Sequence, residues 1–145
     1  MRAYGEFGPR KGNILLIRPG ETFQQIVPGV CMNHIGTTPC GRYFHADSIG
    51  LPAPFGEPGR IIVGSPKTGR FVDVCLSHSK TSEKYKQEAH PHAYLSPDFR
   101  WVVFNSIRTG KPETYVASIP PELLVGLDES PRQHGEDALF PCASK

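Results

Sequence analysis

A repeated pattern, with its two copies 58 residues apart, is the sequence feature that most constrains the fold. The first copy runs from His34 to Ser48 and the second from His92 to Ser106. Each contains, in the same order, a histidine, a hydroxyl residue followed by proline, an arginine, two bulky apolar residues and a closing serine. A fixed internal period is typical of folds that stack one supersecondary unit repeatedly, so we predict a repeat protein.

Each copy contains a turn signal between two strand-like segments, at residues 38–41 and 96–99. Proline at the second position of such a turn fixes φ at the value the turn needs. Hairpin turn signals also occur at residues 18–21 and 65–69, each between two apolar segments. The predicted order is therefore a hairpin, then four strands, then at least three strands.

The amino-acid composition supports a fold of many short strands. The 145 residues include 15 glycines and 15 prolines, well above average usage, and no long segment has a clean 3.6-residue apolar period. We predict an all-β fold, a partial β-propeller of about two to three four-stranded antiparallel blades. The alternative is a generic β-sandwich in which the matching turns are a coincidence.

Charge and hydropathy exclude several functional classes. The net charge is +2 without a basic run, so no nucleic-acid partner is expected. The longest apolar run, residues 14–17, is too short to cross a membrane. Because the N-terminus has no apolar signal segment, we expect a cytoplasmic protein, the alternative being an exported form without its signal. The cysteines form no Cys-x-x-Cys pair, which argues against a zinc knuckle and requires no disulfide: Cys31, Cys40, Cys75 and Cys142.

The second copy of the repeat resembles the repeat of TolB-like propellers. Residues 96–111 match the family's Ser-Pro-Asp-Gly-Lys and its later Ser-Asp-Arg-x-Gly. The sequence departs from that pattern at Phe99, where the family usually has glycine, and at Ile107, where it usually has aspartate. This resemblance implies the propeller architecture and no particular chemistry.

A more specific motif directly precedes it. Residues 87–92 read Gln-x-x-His-Pro-His, and this placement resembles oligogalacturonate lyase, a seven-bladed propeller that cleaves short pectin fragments. In that family the glutamine, both histidines and a histidine of the preceding blade hold a divalent metal, usually manganese. The resemblance implies a Mn²⁺ site formed by Gln87, His90, His92 and His34.

The residues themselves are chemically consistent with such a site. His90 and His92 would share one face of a strand, Gln87 would reach the same point from a loop, and His34 is the repeat equivalent of His92. Three imidazoles and an amide oxygen suit Mn²⁺, Zn²⁺ or Fe²⁺. The alternative for His90 and His92 is an ordinary surface pair.

The resemblance covers residues 13–125 and matches only the C-terminal blades of the family. We therefore expect a segment 1–12, propeller blades over 13–125 and an irregular tail over 126–145. A fragment of the full enzyme is expected, and a short homologue that associates with itself or with a partner chain is the alternative.

The function implied by the resemblance is β-elimination of oligogalacturonate, a small acidic oligosaccharide, to 4,5-unsaturated products. The family's catalytic base and carboxylate-binding arginine come from earlier blades, so no catalytic residue is assigned in this chain. His78 is a weaker candidate for substrate binding, at the rim of the pocket. The alternative is a non-catalytic propeller module used for binding or assembly.

Overall fold

The computed structural model describes residues 14–28, 30–49, 58–80, 84–85 and 87–129. These residues form three antiparallel sheets, which we name the hairpin sheet (β1, β2), the central sheet (β3–β6) and the last sheet (β7–β9). The predicted all-β fold and the order of two, four and three strands are confirmed. The elements are β1 (Leu15–Leu16), β2 (Gln24–Gln25), β3 (Asn33–Thr37), β4 (Phe44–Asp47), β5 (Arg60–Gly64), β6 (Phe71–Leu76), β7 (Tyr94–Leu95), β8 (Trp101–Ser106), β9 (Glu113–Ser118) and the short helix α1 (Pro121–Val125).

The turns of the two repeat copies have the same structure. The Gly41 N–H donates to the Thr38 carbonyl at 2.8 Å, and the Phe99 N–H donates to the Ser96 carbonyl at 2.9 Å. Gly41 has φ +68° and Phe99 has φ +61°, so Phe99 adopts the left-handed backbone for which the family usually has glycine. The 58-residue repeat is therefore present in the backbone as well as in the sequence.

Strand β5 explains how three sheets stack face to face. Ile61, Ile62 and Val63 are fully buried, and because side chains alternate along a strand, Ile62 faces one neighbouring sheet and the other two face the opposite one. Ile62 belongs to the apolar cluster shared with the hairpin sheet. Ile61 and Val63 belong to the cluster shared with the last sheet. This layering of blades is the packing of a propeller.

One face of the last sheet is exposed. Tyr94 pairs with Val103, and Val103 pairs with Val116. The exposed fractions of these side chains are 71%, 37% and 61%, and Trp101 is 42% exposed. The repeat equivalent of Val103 on the central sheet is His45, which is buried. We name Tyr94, Trp101, Val103 and Val116 the open face.

The chain after β9 packs back onto the sheets. Proline at the first turn of α1 fits a helix start, because its missing N–H would have no intrahelical partner there. Leu127 is buried in the same cluster as the last sheet. Asp128 accepts hydrogen bonds from Arg42 at 2.8 and 2.9 Å and from the Tyr43 hydroxyl at 3.0 Å. The first residues of the expected tail are therefore part of the fold.

Residues 1–12 and 130–145 lie outside the described residues, so the proposed segment boundaries stay a prediction. Among the described residues, α1 is far too short to cross a bilayer, and no other helix there is long and apolar enough to do so.

Candidate metal centre

Three histidines from two sheets converge on one point. His34 lies on β3, and His90 and His92 lie in the segment that leads into β7. One ring nitrogen of each lies within 4.8 Å of those of the other two. The Nε2 of His34 is 3.2 Å from the Nδ1 of His90, and the His34 and His92 ring centroids are 4.0 Å apart. Two nitrogens bound to one ion at about 2.1 Å lie about 3 Å apart, so this spacing fits shared coordination.

The backbone that presents His90 and His92 differs from the prediction. The expected strand alternation is wrong, because β7 begins only at Tyr94. His90 closes a turn in which its N–H donates to the Gln87 carbonyl at 3.0 Å. Pro91 has no N–H to donate to a ladder, and its carbonyl accepts from the Asn105 N–H at 2.8 Å. The histidines are thus brought together by a turn and an irregular segment.

His34 and His92 share an unusual backbone conformation. Their φ angles are +47° and +43°, in the left-handed region that is costly for a residue with a Cβ atom. At His34 the pairing of β3 with β4 shifts register between Asn33 and Gly36, as at a β-bulge, which changes the direction of a side chain. Such strained residues cluster at functional sites.

A buried carboxylate that the sequence analysis did not single out supports the cluster. Asp47 on β4 is fully buried, and its Oδ2 accepts hydrogen bonds from the Nδ1 of His34 at 2.8 Å and from the backbone N–H of His92 at 3.1 Å. Its Oδ1 accepts from the Ile49 N–H at 3.4 Å. In the sequence Asp47 is only an aspartate at the end of a short strand, and its partners are distant along the chain.

The environment of His92 favours metal binding. Partial burial and the neighbouring His34 imidazole lower the pKa of His92, and the Asp47 carboxylate opposes this. A lower pKa keeps the imidazole neutral, and the neutral imidazole is the form that binds a metal.

The structure does not bring His78 into the cluster. It follows β6, is exposed and has φ +54°, between the fully buried Ser77 and Ser79. Gln87 is exposed at the start of the turn that ends at His90. The substrate role of His78 and the metal role of the Gln87 amide stay predictions.

The donor set fits the metal that the resemblance implies. Imidazole nitrogens suit borderline divalent ions, and a carboxylate bound to the second ring nitrogen of a ligating histidine is the usual support of such a ligand. His34, His90 and His92, with Asp47 behind His34, have this arrangement.

No family model matches the sequence, and no curated protein matches it. Solved structures do match. The oligogalacturonate lyase of Vibrio parahaemolyticus superposes with a TM-score of 0.61 and 19% identity over 70% of this chain and 28% of the lyase. An oligogalacturonate lyase in complex with manganese superposes with a TM-score of 0.58 and 22% identity over 70% of this chain and 27% of the lyase. The chain thus spans less than a third of either lyase, and the partial β-propeller that it forms has the fold of the matching part of each lyase.

Proposed function

We propose that this chain is the metal-binding part of an oligogalacturonate lyase. The observation that carries the proposal is the convergence of His34, His90 and His92 at the seam of two propeller blades, in a chain with the fold of such lyases. One of those lyases is described in complex with manganese, which supports Mn²⁺ as the ion. Gln87 is proposed as a fourth ligand.

The proposed reaction is β-elimination. A divalent ion at the centre would supply Lewis-acid chemistry toward the carboxylate of a uronate. A base takes the C5 proton, the C4–O4 bond breaks, the double bond forms between C4 and C5, and the leaving oxygen is protonated. The base must lie within hydrogen-bond reach of its proton, and we assign it to no residue of this chain.

The proposed partner is a small acidic oligosaccharide. Its carboxylates require a cationic site, and a divalent ion held by the three imidazoles, with the single buried carboxylate of Asp47 behind them, would supply the positive charge. His78 is proposed as a contact for the sugar at the rim. A cytoplasmic location is part of the proposal.

Metal binding by the purified chain tests the proposal. We expect isothermal titration with Mn²⁺ to give one bound ion per chain, and the double variant His90→Ala/His92→Ala to lose it. Thr114→Ala, an exposed substitution on β9 that removes no nitrogen of the cluster, is the matched control. Absence of binding by a chain whose circular dichroism shows folded β-structure would refute the proposal.

A second candidate function is a non-catalytic propeller module for binding or assembly. The open face favours it, because a sheet face with four large exposed apolar side chains is a surface for association. Ultraviolet detection of unsaturated product from oligogalacturonate with Mn²⁺ separates the two. Product formation by the wild type that the double variant lacks supports the lyase, whereas a folded chain that binds no Mn²⁺ and forms no product supports the module.

A further inference from the structure

We infer that Asp47 is the residue that positions the metal centre, by fixing one histidine through its side chain and another through its backbone. This inference rests on the proposed function, since positioning matters only where the histidines bind an ion. Asp47 itself contributes no atom to the cluster of ligand nitrogens.

The first part of the argument is the ring of His34. Its Nδ1 lies 2.8 Å from the Asp47 Oδ2, and since a carboxylate accepts, the ring donates from Nδ1. The proton on Nδ1 leaves the lone pair on Nε2, and Nε2 is the atom 3.2 Å from His90. Asp47 therefore selects the tautomer in which His34 presents its lone pair to the cluster.

The second part is the backbone of His92. The same Oδ2 accepts from the His92 N–H at 3.1 Å, and His92 has φ +43°. A left-handed conformation persists at a residue with a Cβ only where surrounding contacts hold it. The hydrogen bond to Asp47 is such a contact, and it crosses from the central sheet to the segment before the last sheet.

The third part is charge. Asp47 is fully buried, and its charge lies next to a cluster that gains two positive charges when it binds a divalent ion. In a buried site the attraction between charges is only weakly screened. An asparagine side chain would keep an oxygen acceptor and nearly the same volume, so the substitution Asp47→Asn removes mainly the charge and the preference for the Nδ1 proton.

The test compares Asp47→Asn with Asp73→Asn, a half-exposed carboxylate on β6 that pairs with Arg60. We expect Asp47→Asn to weaken Mn²⁺ binding by about 10- to 100-fold, as is usual for loss of such a supporting group, and Asp73→Asn to leave the affinity unchanged. Nitrogen-15 chemical shifts of the metal-free wild type are expected to show His34 protonated at Nδ1. If Asp47 served only to stabilise the fold, it would not determine which ring nitrogen of His34 carries the proton.

The outcomes separate the two proposals. Equal Mn²⁺ affinity in the wild type and Asp47→Asn overturns the positioning role and leaves the metal site intact. A wild type that binds no Mn²⁺ refutes the proposed function. The tautomer of the His34 ring in the metal-free chain still shows whether Asp47 orients that ring. If Asp47→Asn does not fold, the wild-type spectrum decides, and a His34 ring protonated at Nε2 overturns the inference.

Discussion

His34 and His92 occupy equivalent positions 58 residues apart, both have a left-handed backbone, and their rings meet with centroids 4.0 Å apart. One repeat has thus placed the same strained residue on two successive blades. Each backbone is less stable than an extended one by about 1 to 2 kcal/mol, and the strain directs both rings to one point.

Replacement of His92 should separate strain from binding. His92→Gly and His92→Ala both remove the ring, so each is expected to lower Mn²⁺ affinity by at least about 100-fold. Glycine tolerates φ +43°, whereas alanine keeps the Cβ strain, so the metal-free glycine variant should be more stable than the alanine variant by about 1 kcal/mol. Urea unfolding in the presence of a chelator measures this difference.

His78 provides the matched control for this prediction. It also has a positive φ, +54°, and is exposed, but lies outside the histidine cluster. His78→Gly should again exceed His78→Ala in stability, with Mn²⁺ affinity unchanged in both. Loss of metal binding in either His78 variant would contradict the site as described.

At the turn position 41, glycine is expected to be required only because the backbone there adopts a left-handed conformation. It has φ +68°, and a Cβ added there would meet nothing within 4 Å. Gly41→Ala should therefore lower the free energy of unfolding by about 1 kcal/mol through backbone strain. At Gly126, φ is −70° and the space is also open. Gly126→Ala should therefore raise the free energy of unfolding by about 0.4 to 1 kcal/mol, because alanine makes the unfolded chain less flexible. Equal effects in chemical denaturation would argue against this explanation.

The stability of the chain should fall at acidic pH because of His45. Burial lowers the pKa of His45 below its ordinary value of 6.5, opposed by a hydrogen bond with the backbone of Ala93. The folded chain then binds fewer protons than the unfolded chain, so the stabilisation is complete above about pH 6.5 and is lost as the pH falls. A single histidine contributes at most about 1.4 kcal/mol per pH unit.

His45→Gln, which cannot ionise, tests this effect. Its free energy of unfolding should depend less steeply on pH than that of the wild type, even though it is lower at neutral pH. Urea titrations at about pH 7.5 and about pH 5 give both slopes. Identical slopes would assign the acid sensitivity to other groups, such as His92, whose pKa is also lowered.

The open face should drive association of the isolated chain. Val116 belongs to this face, is 61% exposed and pairs with Val103. An exposed apolar patch of this kind is buried when protein chains associate. We expect sedimentation velocity to show concentration-dependent oligomers that Val116→Lys abolishes. Val125→Lys, on α1 and 62% exposed, should have no effect. A wild type that stays monomeric at all concentrations would refute this.

The fold was predictable because its signals are local. The turns at 38–41 and 96–99 and the hairpin turn at 65–69 each encode their geometry within five residues, and the repeat supplied the order of the sheets. The meeting of His34 with His92 followed from the same repeat, since equivalent positions on neighbouring blades are close in space.

Asp47 was not predictable, because its partners lie 13 and 45 residues away and no local pattern marks them. The prediction of a strand at His90 and His92 was wrong for a related reason. The N–H of His92 donates to the Asp47 carboxylate. The alternation of side chains along one segment does not reveal such a tertiary interaction.

The histidine cluster is divided between His34 on the central sheet and His90 and His92 ahead of the last sheet. A bound ion would therefore add its free energy to the docking of two blades rather than to the folding of either one. Removal of metal would loosen the seam first, while each sheet kept its own ladder of hydrogen bonds. Hydrogen exchange would then rise at the boundary between blades before it rose within them, which makes the metal centre a reporter of whether these two blades are docked.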